Sequence, residues 1–166
     1  MSTTMTHESH ASTHGFASAN ARESADDVAA PSAVSGTPRL LLRLEAGAVL
    51  AIATSAYAWL GGHWLLFAVL FLAPDLAMLG YRAGTKIGAA SYNAVHSYLG
   101  PALLAAVGLL LSHGLESTPP SALLVACIWA AHIGFDRLLG YGLKYGSAFG
   151  DTHLGLLPAK GSRPAR

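Results

Sequence analysis

The chain has 166 residues, of which 52% are hydrophobic and only 11% are charged, and its formal net charge at pH 7 is +1. Because soluble domains carry about 25% charged residues, this composition excludes an ordinary water-soluble enzyme, and so small a net charge excludes a nucleic-acid-binding surface built on phosphate contacts. The single cysteine, Cys127, excludes an intrachain disulfide and a zinc site built on paired cysteines.

The N-terminal segment, residues 1–38, differs in character from the rest of the chain. It is rich in Ser, Thr, Ala and His and shows the periodicity of neither a helix nor a strand. It also lacks the basic region and the apolar region of a secretory signal. The sequence therefore predicts a disordered tail over residues 1–38.

Four apolar stretches follow this tail, at about residues 40–60, 64–79, 87–111 and 121–139. Each is close to the ~20 residues that a helix needs to cross a hydrocarbon core ~30 Å thick. A soluble helix bundle would need a charged stripe on every helix, but residues 46–60 and 102–111 contain no charged residue. The sequence predicts an all-α fold, an integral membrane bundle of four transmembrane helices within a domain over residues 39–157.

The basic residues outside the tail are confined to one side of this predicted bundle: Arg39, Arg43, Arg82, Lys86, Arg137, Lys144, Lys160, Arg163 and Arg166. They precede or open the first helix, lie in a second connection over residues 80–86, or lie at or beyond the end of the fourth helix. The first and third connections contain neither Lys nor Arg. By the positive-inside rule, we expect a multi-pass protein of the bacterial cytoplasmic (inner) membrane with both termini in the cytoplasm.

Beyond Arg43, which opens the first helix, six acidic, basic or histidine residues lie within the predicted spans: Glu45, Asp75, His96, His132, Asp136 and Arg137. Each costs about 2.5–3.5 kcal/mol inside a membrane span, so each needs a partner or a function. Counted along the predicted helices, they lie toward the cytoplasmic side, with Asp75 about a turn and a half from the end of the second helix. We therefore expect them to share a polar pocket in the inner half of the membrane.

The residue types in this pocket suit a metal ion. Two imidazoles with carboxylates are a ligand set for zinc, iron or manganese, and His132 and Asp136 share one helix face because they are four residues apart. The predicted metal ligands are Asp75, His96, His132, Asp136 and His153, and the expected cofactor is a divalent transition metal such as zinc.

The predicted activity is hydrolysis of a membrane lipid or a small amphiphile. A bound metal lowers the pKa of a water molecule so that it attacks at neutral pH. Glu45 and Asp136 are the predicted catalytic carboxylates, and Tyr92, Asn93 and Lys144 are the predicted substrate-binding residues.

Other interpretations of the same residues remain open. In a proton- or ion-coupled carrier, Asp75, His96 and Asp136 would change protonation, and four short helices would then require a homo-oligomer. In a purely structural role, the polar groups would only hold the helices together. A haem between His96 and His132 is disfavoured because the neighbouring carboxylates do not suit an apolar macrocycle.

The segment after the fourth predicted helix is rich in glycine, which permits tight turns. We expect it to fold back beneath the bundle, because Leu154, Leu156 and Leu157 would otherwise be exposed. This would bring Lys144, Asp151 and His153 under the polar pocket. Residues 158–166 are predicted to form a short basic tail.

Four motifs resemble the bacterial membrane family described as domain of unknown function 4260: LLRLEAG at 41–47, FLAPDLAMLGYRAG at 71–84, YNAVHSY at 92–98 and HIGFDRLLGYGLKYGSAFGDTHLG at 132–155. The resemblance covers about residues 40–155 and implies a small multi-spanning bacterial membrane protein without an assigned activity. Residues of this chain that match the family pattern are Glu45, Asp75, His96, His132, Asp136, Lys144, Asp151 and His153.

Overall fold

The computed structural model describes residues 33–112 and 121–157. Most of the predicted disordered tail at 1–38 and the predicted basic tail at 158–166 lie outside these residues. The last three residues of the predicted tail belong to the first helix, which begins at Gly36. Pro38 is compatible with this start because a proline in the first turn of a helix removes no backbone hydrogen bond.

The described residues form five α-helices and one 3₁₀ helix: α1 Gly36–Trp59, α2 Trp64–Phe71, the 3₁₀ helix Ala73–Ala83, α3 Thr85–Val95, α4 Leu99–Ser112 and α5 Ser121–Leu139. They make four stretches that are long and apolar enough to cross a membrane, Gly36–Trp59, Trp64–Ala83, Thr85–Leu110 and Ser121–Leu139. Large apolar side chains lie exposed along all four. Such a surface is compatible with the hydrocarbon core of a bilayer. The predicted membrane bundle of four spans is confirmed.

The second span is not a single α-helix. Pro74 has no N–H to donate to the carbonyl of Leu70, and the N–H of Asp75 instead donates to the carbonyl of Leu72, three residues back, at 3.2 Å. The 3₁₀ geometry then continues to Ala83. Because a 3₁₀ helix rises ~2.0 Å per residue, Asp75 lies about 16 Å from the end of its span, deeper than the predicted turn and a half.

The prediction of a second connection over residues 80–86 is also wrong, because the 3₁₀ helix extends into this segment. Since the 3₁₀ helix reaches Ala83 and α3 begins at Thr85, only Gly84 separates them. Its φ of +115° lies in a region open mainly to glycine. The 3₁₀ helix and α3 therefore pack against each other as a tight helical hairpin.

The third span, predicted as one continuous helix, is interrupted at residues 96–98. Backbone carbonyls released by such a break are costly in a bilayer unless they find donors. Two side chains of α5 supply these donors: Nε1 of Trp129 donates to the carbonyl of Val95 at 2.7 Å, and Nη2 of Arg137 donates to the carbonyl of His96 at 3.3 Å. The break is thus held open by α5.

The most connected helix is α5, which packs against α1, α2 and α4. At its crossing with α1, a Cβ atom on Gly134 would lie only 2.8 Å from the carbonyl oxygen of Ala46 and from the backbone nitrogen of Leu50. The two backbones approach this closely because the residue has no side chain, a common device between membrane helices.

The segment after α5 folds into a small hairpin that packs against the bundle. Its strands, β1 Asp151–Thr152 and β2 Gly155–Leu156, are antiparallel, and Lys144 forms a bridge to Thr152. Leu154 is buried, and the carbonyl of His153 accepts a hydrogen bond from the N–H of Val34 at 3.0 Å. These strands of two residues leave the fold all-α.

Candidate metal centre

Four ionisable side chains from three of the spans converge in the interior of the bundle. They are Asp75 of the 3₁₀ helix, His96 in the break of the third span, and His132 and Asp136 of α5. One ligand atom of each residue lies within 4.8 Å of the corresponding atoms of the other three. We call these four residues the His/Asp cluster.

Five of the six separations between these atoms are close to those of ligands around one small ion. The Nε2 atoms of His96 and His132 lie 3.2 Å apart. Oδ1 of Asp75 lies 3.6 Å from both Nε2 atoms, and Oδ2 of Asp136 lies 3.5 Å from that of His96 and 3.8 Å from that of His132. Four ligands at 2.0–2.2 Å from a tetrahedral zinc ion would be separated by about 3.3–3.6 Å.

The interruption of the third span aims the His96 imidazole at the cluster. Its Nδ1 lies 3.0 Å from the carbonyl oxygen of Tyr92, where it donates a hydrogen bond, and its ring stacks on the Tyr92 ring with centroids 3.7 Å apart. A proton on Nδ1 leaves Nε2 with a free lone pair. This is the arrangement in which a protein carbonyl fixes the tautomer of a metal-binding histidine.

The Asp136 carboxylate is also held by Tyr92, whose hydroxyl donates to Oδ2 at 3.0 Å. The ammonium of Lys144 lies 4.9 Å from the centroid of the Tyr92 ring and donates to the carbonyl of Phe149 at 3.0 Å. Burial lowers the pKa of this ammonium. Tyr92 therefore connects both a histidine and a carboxylate of the cluster to the hairpin.

The orientation of His132 depends on packing. Its Nδ1 is buried and has no hydrogen-bond partner in the part of the chain that the structure describes. The Phe71 ring packs edge-to-face on the imidazole, with centroids 5.3 Å apart. An aromatic contact thus takes the place of the polar partner that a metal-bound imidazole usually has.

The cluster is open on one side only. The side chains of His96, His132 and Asp136 are 3%, 2% and 13% exposed, whereas that of Asp75 is 37% exposed. A groove of about 230 Å³ with an almost wholly apolar lining runs beside the cluster. Pro74 and Val95 of its wall directly precede Asp75 and His96, so the groove adjoins the ligands.

Charge balance at this depth favours a cation. Among residues 33–112 and 121–157, Asp75 and Asp136 form ion pairs only with the two histidines. Neutral imidazoles leave two negative charges within the spans, which is costly. A divalent cation would cancel both.

Three residues predicted for the site lie elsewhere. Nδ1 of His153 accepts a hydrogen bond from the N–H of Leu143 at 2.8 Å, away from the His/Asp cluster. Asn93 uses its amide on the backbone of Lys144, donating to the carbonyl at 2.8 Å and accepting from the N–H at 2.7 Å. Glu45 is exposed and lines a separate cleft with Arg137 and His153.

Two residues that hold the site were not assigned this role from the sequence. Trp129 and Arg137 fix the break that presents His96. A signal for the break exists in the dipeptide Gly100–Pro101, because a proline is compatible with the first turn of a new helix but not with the middle of a continuous one. The hydrogen-bond donors Trp129 and Arg137 each lie within one helical turn of a predicted metal ligand on α5, His132 or Asp136.

No curated protein and no solved structure matches the chain. The sequence profile of the family described as "Domain of unknown function (DUF4260)" matches residues 39–157. This range covers more than half of the chain and contains the whole His/Asp cluster and all four spans except the first three residues of the first. The chain therefore belongs to the DUF4260 family.

Proposed function

We propose that the His/Asp cluster binds one divalent transition metal, zinc above all, and that the protein uses it to hydrolyse a membrane amphiphile. The observation that carries the proposal is the set of five separations between 3.2 and 3.8 Å that link two imidazole nitrogens with two carboxylate oxygens. Atoms that all bear lone pairs repel one another at these distances unless a proton or a cation lies between them.

The four side chains differ in exposure, and we assign them different roles on that basis. His96, His132 and Asp136 are nearly inaccessible and would hold the metal throughout the reaction. Asp75 is more exposed and lies 3.6 Å from both Nε2 atoms. As the accessible carboxylate, it would accept a proton as the general base, the role predicted for Glu45. A bound metal would supply a water molecule of lowered pKa.

The surroundings of the cluster favour a lipid-like substrate. The adjoining groove is lined by apolar residues from the second, third and fourth spans. A chain of methylene groups can lie in such a groove without burying a polar group, whereas a small polar metabolite would lose its hydration there without finding hydrogen-bond partners. The reacting group of the substrate would lie at Asp75, where the cluster is open.

We also propose that the end of the bundle that carries Arg39, Arg43 and Arg137 faces the cytoplasm of a bacterium, with both termini on that side. The support is the absence of Lys and Arg from residues 61–63 and 112–120, which the positive-inside rule assigns to the opposite face.

Metal content tests the binding step. Protein purified in detergent and loaded with zinc should retain one zinc ion per chain, measured by mass spectrometry of the elements after gel filtration. His96→Ala and His132→Ala should each lose it. His153→Ala is the matched control and should retain the ion, because its imidazole lies outside the cluster. Equal and low zinc in all four proteins would refute the site.

Asp75→Asn tests the catalytic step separately. A fluorogenic long-chain acyl ester in mixed micelles should be hydrolysed by the zinc-loaded wild type. The variant should retain most of its zinc but lose ~10²–10⁴-fold in kcat, because a general base contributes that much. Wild-type rates in Asp75→Asn would contradict this assignment.

A further inference from the structure

A second cleft is lined in part by Arg137 and by none of the residues of the His/Asp cluster. It has a volume of about 260 Å³ and is bounded by α1, the break in the third span, the end of α5 and the hairpin. Four polar side chains line it, those of Glu45, Tyr98, Arg137 and His153, together with apolar ones such as Leu42 and Leu154. We call this space the Glu/Arg cleft.

The Glu/Arg cleft is separate from the proposed metal site. None of the four residues of the His/Asp cluster lines it. A small gap lined by residues of both sites, His96, Asp136 and Arg137 among them, has no room for a water molecule. A ligand in the cleft would therefore not contact the proposed metal ligands.

One wall of the cleft offers hydrogen-bond donors. Arg137 uses Nη2 on the carbonyl of His96, and its guanidinium has four further N–H groups. Nδ1 of His153 accepts the N–H of Leu143, so the ring proton is on Nε2. The hydroxyl of Tyr98, whose ring lies 4.4 Å beneath the guanidinium, is buried and without a hydrogen-bond partner among the described residues. Such donors suit a phosphate.

Glu45 gives the same cleft a negative charge. Neither Glu45 nor Arg137 forms an ion pair within residues 33–112 and 121–157. The two charges therefore line one cavity without neutralising each other. This arrangement complements a ligand that carries both an anion and a cation.

We infer that the Glu/Arg cleft binds a phospholipid whose headgroup joins a phosphate to a primary ammonium, as in phosphatidylethanolamine. The phosphate lies at Arg137 and His153, and the ammonium donates hydrogen bonds to Glu45. A choline headgroup has no N–H to donate, and a glycerol headgroup has no cation. Leu42 and Leu154 lie beside the acyl region, which favours a lipid over a soluble phosphate ester.

Lipid retention tests this inference. The purified protein is equilibrated with equal amounts of phosphatidylethanolamine, phosphatidylcholine and phosphatidylglycerol in detergent, and the bound lipids are counted by native mass spectrometry. The wild type should retain phosphatidylethanolamine about tenfold more than either competitor, a difference of about 1.4 kcal/mol.

Glu45→Gln should abolish the preference over phosphatidylglycerol, because it removes the negative charge that the ammonium meets. Glu45 is exposed, so the variant should fold. Asp151→Asn makes the same carboxylate-to-amide change outside the cleft and should retain the preference. His153→Asn should lower phosphatidylethanolamine retention.

Equal retention of the three lipids by the wild type, or an unchanged preference in Glu45→Gln, would overturn the inference. Free phosphoethanolamine that displaces the bound lipid at equal concentration would show that the headgroup alone is recognised, and would overturn the assignment to a lipid. Zinc content measured in the same samples is a separate readout, so failure of the metal site leaves this result interpretable.

Discussion

A single hydroxyl group, that of Tyr92, fixes the carboxylate of Asp136 in the His/Asp cluster through a hydrogen bond of 3.0 Å. Partners of this kind orient a metal ligand, and their removal typically weakens metal affinity by ~10–100-fold. We expect Tyr92→Phe to retain zinc with an affinity lower by that factor. Competition with a coloured zinc chelator measures the change.

The matched control is Tyr98→Phe. The Tyr98 hydroxyl has no hydrogen-bond partner in the described residues, so its removal should leave zinc affinity as in the wild type. Equal affinities for Tyr92→Phe and the wild type would show that the hydroxyl does not orient a ligand.

His153 gives the fold a dependence on pH. Burial, with the nearby positive charge of Arg137, lowers the pKa of its imidazole, and the N–H that Nδ1 accepts from Leu143 requires that nitrogen to be unprotonated. The other titratable or charged side chains that line the Glu/Arg cleft with His153 are those of Glu45, Tyr98 and Arg137. The unfolded chain binds a proton at its ordinary pKa of about 6.5, above that of the folded chain.

Stability from His153 is therefore fully present above about pH 6.5 and declines as the pH falls through the lowered pKa. We expect the melting temperature of the wild type to fall between pH 7.5 and pH 5, and that of His153→Asn to fall by less. Melting curves of metal-free protein in detergent measure both. Parallel losses in the two proteins would contradict this role.

At the scale of helices, the crossing of α1 and α5 depends on the missing side chain of Gly134. A Cβ there would meet backbone atoms of Ala46 and Leu50, which cannot move aside. Alanine normally stabilises a helix relative to glycine by up to about 1 kcal/mol, but overpacking costs about 1–3 kcal/mol. We expect Gly134→Ala to lower the free energy of unfolding, measured by thermal or denaturant melting in detergent.

Gly47→Ala is the control on the facing helix. Its Cβ would meet only the end of the Leu138 side chain, at 3.2 Å, and this side chain can rotate away. We expect this variant to be neutral or slightly stabilised. Similar destabilisation in both would mean that close approach of the backbones is not the cause.

The sequence predicted the four spans correctly because their apolar content is a property of the residues themselves. It did not predict the 3₁₀ helix or the break in the third span, because helices that are apolar on all sides carry no periodic signal of a change in geometry. Pro74 and the Gly100–Pro101 pair were the local signals for both irregularities.

The candidate site was also predicted only in part. Ionisable residues within spans indicated Asp75, His96, His132 and Asp136, since burying them is costly wherever they point. The positions of Glu45, Asn93 and His153 depend on helix rotation and on the path of the hairpin. Those are set by packing among several elements, which spacing along one helix does not determine.

For the whole molecule, the proposed metal would link three of the four spans. The second span contributes Asp75, the third His96, and the fourth both His132 and Asp136, while the first span joins the bundle by packing against α5. A ligand that binds only the folded state stabilises it. The ion would therefore support the fold as well as the chemistry.

The most direct test of this account is X-ray absorption spectroscopy of the zinc-loaded protein, which reports the atoms around the metal. We expect nitrogen and oxygen neighbours at about 2.0–2.2 Å with scattering from two imidazole rings, and the same spectrum for His153→Ala, whose imidazole lies outside the cluster. A spectrum without imidazole scattering, or one with a shell of oxygen atoms alone, would contradict the assignment of the His/Asp cluster as a metal centre.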